Sequence, residues 1–194
     1  MKQSTILGSS RQNTASPSQI IRSTYRKTFL RFITNNTADI RNRAKRIAVD
    51  KVVTWSSGDV ALVHLASATK LTAFAQIAAE YLPNSGDTGV VQGYGFRQQN
   101  PAEQADWLYR ANVSVIGANT DLSGGSAIRV GGVNGISNFG DSGGPLTVNG
   151  KNDQIVGVSS SGADNPTNDI QSTATYANIT GTEVRNWIRS TTGS

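Results

Sequence analysis

Cysteine is absent from the 194 residues, which removes disulfides, thiol nucleophiles and thiolate metal sites together, and with them the usual sign of an oxidising compartment. Histidine occurs once, at His64, so a metal would find only scattered carboxylates beside it; neither a metal nor another cofactor is expected. No apolar run approaches the roughly 18 residues that a membrane-spanning helix needs, so no membrane partner is expected. The opening Met1-Lys2-Gln3-Ser4-Thr5-Ile6-Leu7-Gly8 turns polar after its basic residue and lacks the apolar stretch of an export signal. Acidic residues are scarce at the front: residues 1–51 hold 11 of the 18 Lys/Arg but two of the 13 Asp/Glu. A solvated basic surface is the ordinary reading of such a stretch; a nucleic-acid arm, an organelle transit peptide or a mis-assigned start are the others. Neither interleaved aromatics nor a recognition-helix pattern accompanies the charge, so nucleic acid is not the expected partner.

What is present is a succession of short strand-like segments bounded by Gly, Asn, Ser or Pro. They are 28–33, 47–53, 59–65, 89–91, 111–116, 127–130, 146–148, 154–158 and 175–179. Such a chain of short strands with turn signals between them predicts an all-β antiparallel sandwich or barrel. Residues 71–82 are Ala-rich, but Pro83-Asn84-Ser85-Gly86 ends them, and they read as a crossing between two halves rather than a helix. Near the end, Val184, Trp187 and Ile188 fall at helical spacing and predict a short helix whose apolar face docks on the last barrel. Domains are expected at 1–82 and 83–194.

The chemistry concentrates in Gly140-Asp141-Ser142-Gly143-Gly144-Pro145-Leu146. Glycines on both sides of Ser142 allow a tight turn that exposes its hydroxyl, with the amides of Gly140 and Ser142 available as an oxyanion hole. On composition alone, a Gly-rich turn with a serine is as a rule no more than a turn.

This segment resembles the nucleophile motif of the chymotrypsin/trypsin-like serine peptidases, and further landmarks of that family follow in order. Gly58-Asp59-Val60-Ala61-Leu62-Val63 is similar to the strand with the triad aspartate. Leu82–Gly89 and Gly93-Tyr94-Gly95 are similar to the interdomain crossing and the opening of the second barrel. Val156–Gly162 resembles the strand lining the substrate cleft, and Thr175–Ile179 with the Trp187-Ile188 helix resembles the closing strand and terminal helix. The resemblance spans about residues 47–194 and implies two Greek-key antiparallel barrels, the site between them, and a C-terminal helix. It implies that Ser142 is the acylated nucleophile, Asp59 the carboxylate that orients a base, and Gly140 with Ser142 the oxyanion donors. Asp141 would be the buried acid that pairs with a new N-terminal amine after activation. A peptide or protein substrate and a secreted location are implied in the same way.

A serine hydroxyl needs a neighbouring base, and the family's histidine belongs about 45 residues before the aspartate. That slot falls on Pro17, beside a faint Thr14-Ala15 echo. His64 follows Asp59 by five residues on the same expected strand, so the two side chains should face opposite ways, roughly 16 Å apart. The stretch before Pro17 is also too short for the strands that should precede the histidine, so the first barrel is expected to be incomplete. By the same resemblance Ile136, six residues before Ser142, takes the pocket-floor position, with Ser160, Gly162 and Ala174 as walls. That set predicts a preference for small or medium apolar residues before the scissile bond. Two readings compete: a serine endopeptidase without its base, and a protease-fold module that holds peptide without cutting it.

Overall fold

The computed structural model describes residues 5–8, 29–31, 46–68, 73–98, 101–162 and 173–193; Thr14, Ala15 and Pro17 lie outside them. Among the described residues the elements run β1 (Thr5–Gly8), β2 (Phe29–Arg31), β3 (Arg46–Thr54), β4 (Ala61–Leu65), β5 (Thr88–Gly93), β6 (Phe96–Gln98), β7 (Glu103–Gln104), β8 (Tyr109–Thr120), β9 (Ser126–Gly132), β10 (Pro145–Val148), β11 (Ile155–Gly162), β12 (Thr173–Asn178) and α1 (Thr182–Thr192). None of them is a helix long and apolar enough to cross a membrane.

The second half closes into a six-stranded barrel in the order β10-β11-β12-β9-β8-β5. β5, β8 and β9 are antiparallel neighbours, and the chain then returns through residues 133–144 so that β10 lies beside β5. Three adjacent strands with the fourth brought back beside the first make a Greek key. Period-two alternation supplies the core: on β8, Val113 and Val115 point inward and are buried while Asn112 is exposed. They meet Ile128, Val130, Leu146 and Val156 inside.

The first half, among the described residues, is an antiparallel sheet of four strands in the order β1-β4-β3-β2. β3 and β4 pair from Val49↔Leu65 to Thr54↔Ala61, and the Trp55 amide donates to the Val60 carbonyl at 2.9 Å to close the turn between them. Asp59 therefore sits in that turn, ahead of β4, and not on the strand as the sequence predicts. The reason is local: the Val60 amide donates to the Gly58 carbonyl at 2.9 Å, curling the chain at Asp59 and leaving it out of the ladder.

The two halves meet where Val60 packs with Val158, Ala177, Ile179 and Val184. The crossing at 73–84 is not helical; Ile77 forms a parallel bridge with Ile155. Tyr81 holds it in place: its amide donates to Thr180 Oγ1 at 2.9 Å, and its carbonyl accepts from Asn178 Nδ2 at 3.1 Å. Helix α1 buries Val184, and Trp187 stacks against Trp55 at 6.3 Å between ring centroids. The helix thus docks on the seam between the halves as well as on the barrel. Gly193, at φ 72°, ends it, its amide N–H donating a hydrogen bond to the Arg189 carbonyl at 2.9 Å.

Candidate active site

The return connection 133–144 carries the glycine-flanked serine. Ser142 is exposed, in a turn pinned on both sides. The Gly144 amide donates to the Asp141 carbonyl at 2.8 Å, the Gly143 amide to the Ser159 carbonyl at 2.9 Å, and the Ser159 amide back to the Gly144 carbonyl at 2.9 Å. The nucleophile candidate is therefore fastened to β11 at its C-terminal side.

The preceding peptide has a defined direction. The Phe139 carbonyl accepts the Phe96 amide at 2.8 Å, and Gly140 adopts φ 95°, a conformation that costs glycine little. In a trans peptide the N–H points opposite to the carbonyl, so the Gly140 amide faces away from Phe96. Among the described residues no acceptor takes the amide of Gly140 or that of Ser142. Two unspent donors on the exposed turn can receive developing negative charge.

Asp141 turns the other way, into the protein. Its carboxylate accepts the Gly95 amide at 2.7 Å and the Asn138 amide at 2.8 Å. A methyl group on Gly93 would sit 1.9 Å, and on Gly95 2.6 Å, from the nearest atom of that carboxylate, so the Gly93-Tyr94-Gly95 spacing makes room for the acid. Burial pushes the Asp141 carboxyl above its ordinary value, and the two amide donors partly offset that. Beside it opens a cavity of about 300 Å³, lined among others by Arg97, Arg110, Asn134 and Ile136.

Asp59 is completely buried. Its Oδ2 accepts the Ser160 hydroxyl at 2.7 Å, and its amide donates to Asp121 Oδ2 at 2.8 Å. Ser160 reaches it because β11 carries a bulge: Ser159 pairs with Tyr176 and Ser161 with Thr175, leaving Ser160 as the extra residue whose side chain is re-aimed. Of the four expected pocket residues, Ser160 thus faces the aspartate. The others gather elsewhere: Gly162 pairs with Ala174 across β11 and β12, Ala174 is buried in the barrel core, and Ile136 packs against that core. Tyr176, its phenol pushed up by burial, hydrogen-bonds Ser137 and Ser159 and braces the chain next to Ile136.

His64 lies elsewhere. Its Nδ1 is 2.5 Å from Asp50 Oδ1, with both side chains partly exposed. Among the described residues no three or more His, Asp or Glu side chains gather as a metal site.

Asp121, in the turn between β8 and β9, went unnoticed in the sequence. Asp-Leu-Ser-Gly-Gly is a turn signature, and the Ser123 amide bonding Asp121 Oδ1 at 2.9 Å is the local bond it foretells. A partner 62 residues away is not readable from that pattern.

Comparison with known proteins bears on the same features. The protein-family profile described as Trypsin matches residues 22–188. No curated protein sequence matches the chain. Among solved structures, neuropsin, a serine protease expressed in the limbic system of mouse brain, is similar with a TM-score of 0.62 and 21% identity over 75% of this chain and 71% of its own. A mutant of human heparin binding protein is similar with a TM-score of 0.65 and 15% identity over 83% of this chain and 72% of its own.

Proposed function

The chain belongs to the trypsin family of serine endopeptidases, and from that premise we propose that Ser142 is the nucleophile of a peptide-bond-cleaving site with Asp59 as its orienting carboxylate. The observation that carries this reading is the pair of unspent amides, Gly140 and Ser142, on the turn that exposes the Ser142 hydroxyl. With a base at hand, Ser142 Oγ would lose its proton to the base and bond to the carbonyl carbon, while the carbonyl oxygen takes the electron pair and is held by the two amides. The base would pass the proton to the amine as the C–N bond breaks, leaving an acyl-enzyme that water hydrolyses.

The proposed reading leaves the base unassigned. His64 is the only histidine in the sequence, and its Nδ1 is engaged with Asp50. That observation favours a second reading for the chain as it stands, a cleft that holds peptide and cuts it poorly or not at all. Asp141, at the cavity of about 300 Å³, fits the family's acceptor for a chain-terminal amine. Peptides or proteins are the substrate class. Trypsin-like proteases are often secreted, and we extend that location to this chain.

The test is covalent labelling by an organophosphonate ester, with and without added imidazole as a small external base. Labelling that rises with imidazole and disappears in Ser142→Ala supports the assignment. Labelling that persists in Ser142→Ala moves the nucleophile elsewhere.

A further inference from the structure

The turn between β8 and β9 meets Asp59 from two directions. The Asp121 carboxylate is buried and divided between tasks: Oδ1 accepts the amides of Ser123 at 2.9 Å and Gly125 at 2.8 Å, which fold the turn, and Oδ2 accepts the Asp59 amide at 2.8 Å. The next residue acts at the other end of Asp59: the Leu122 amide donates to Ser160 Oγ at 3.3 Å, whose own proton goes to Asp59 Oδ2 at 2.7 Å. One short turn of the barrel therefore fixes the main chain of Asp59 directly and its carboxylate through Ser160. The turn closes on itself without Asp59, because the Asp121 amide donates to the Gly125 carbonyl at 2.9 Å and the Gly124 amide to the Asp121 carbonyl at 3.1 Å. The Oδ2 bond is thus additional to what the turn needs.

We propose that Asp121 is a positioning residue: its carboxylate anchors the Asp59 amide across the seam between the halves and so sets the direction in which the Asp59 carboxylate points. The proposal rests on Asp59 being the orienting carboxylate. Charge is part of the design, since a carboxylate offers acceptors on both oxygens whereas an amide side chain offers one. In Asp121→Asn the single carbonyl oxygen stays with the two turn amides, and the NH₂ group opposes the Asp59 amide, donor against donor. The substitution keeps the shape and breaks one bond.

The experiment is amide hydrogen exchange and the carboxyl ¹³C signal of Asp59 in the full chain, for wild type, Asp121→Asn and Val148→Ala, the last a destabilised control in the barrel's other buried cluster, which does not include Val60. In Asp121→Asn the Asp59 amide should exchange roughly tenfold faster or more, while Ser123 and Gly125 stay protected and the Asp59 carboxyl signal moves. Val148→Ala should lower the melting temperature and leave the Asp59 carboxyl signal in place, with any faster exchange shared by the core amides generally. An Asp59 amide as protected in Asp121→Asn as in wild type overturns the proposal, as does the same Asp59-specific change, carboxyl signal included, appearing in Val148→Ala. Should Asp121→Asn fail to fold, scalar coupling across the hydrogen bond between the Asp59 amide nitrogen and Asp121 Cγ in wild type decides it: coupling supports the anchor and its absence refutes it. Neither readout involves Ser142, so loss of the anchor and loss of the peptidase assignment are separate results.

Discussion

A half-buried acid held, among the described residues, by backbone amides carries a pH signature of its own. Burial raises the Asp141 carboxyl above 3.8, with the Asn138 and Gly95 amides acting against the rise. The folded protein then holds the proton more tightly than the unfolded chain does. Its stabilising contribution is complete below the ordinary carboxyl value and is lost as pH rises through the raised one. Wild type should therefore gain melting temperature relative to Asp141→Asn as the pH falls from neutrality into that window; a difference independent of pH would contradict the assignment. At neutral pH Asp141→Asn leaves one of two amide donors without an acceptor, at a cost of about 1–3 kcal/mol. Ile136 yields a second expectation at this scale. An Arg or Lys side chain entering beside it would lose hydration without a counter-charge from Ile136, and on the cavity Ile136 lines Arg97 and Arg110 outnumber Asp141, so its entry is disfavoured. Peptides with Ala or Val at that position should bind at least about tenfold more tightly than those with Arg or Lys, and calorimetric titration showing the reverse would refute the pocket assignment. Both residues could be picked out in the sequence by their distance from Ser142. Asp121 could not, because an Asx turn looks the same whether its second oxygen is idle or anchoring a residue from the other half.

Elements were legible where alternation was long enough to register. All nine expected strand segments correspond to β2, β3, β4, β5, β8, β9, β10, β11 and β12. β1, β6 and β7 escaped for want of an apolar signal: Phe96 is the one apolar residue in β6 and β7, and β1 lies in an opening read as polar. The helix was readable from three apolar residues, but its partner was not: Trp187 meets Trp55 from the first half, a contact no local spacing encodes. Val184 is the helix's one fully buried side chain, so Val184→Ala should cost about 2 kcal/mol and lower the melting temperature by about 5 °C. A change under 1 °C in a thermal melt would mean that α1 is not held by this seam.

For the whole molecule, the boundary proposed near residue 82 has packing across it. Val60 from the first half is buried in one cluster with Val158, Ile179 and Val184 from the second. We expect the halves to unfold together, with tryptophan fluorescence and far-UV circular dichroism tracing one transition; two separated transitions would show independent domains. Activity is also a property of the whole. On the proposed reading, in which Ser142 is the nucleophile and has no histidine base, turnover should lie on the order of 10⁶ below that of an intact triad. A peptide-ester panel run beside Ser142→Ala should give no measurable difference, and robust Ser142-dependent turnover would require a base other than histidine. The return connection 133–144 has one more consequence. It leaves β9, which is fixed by β8 and β12, and enters β10, which is fixed by β5 and β11. An exposed residue such as Val133 can therefore be randomised while the barrel pairings stay in register, whereas Ile136 packs on the core. For directed evolution the molecule arrives already partitioned: inheritance of the frame is decoupled from variation at its exposed edge, and a library confined to Val133 and Asn134, with Ile136 and residues 138–144 kept, would explore recognition with few variants lost to misfolding.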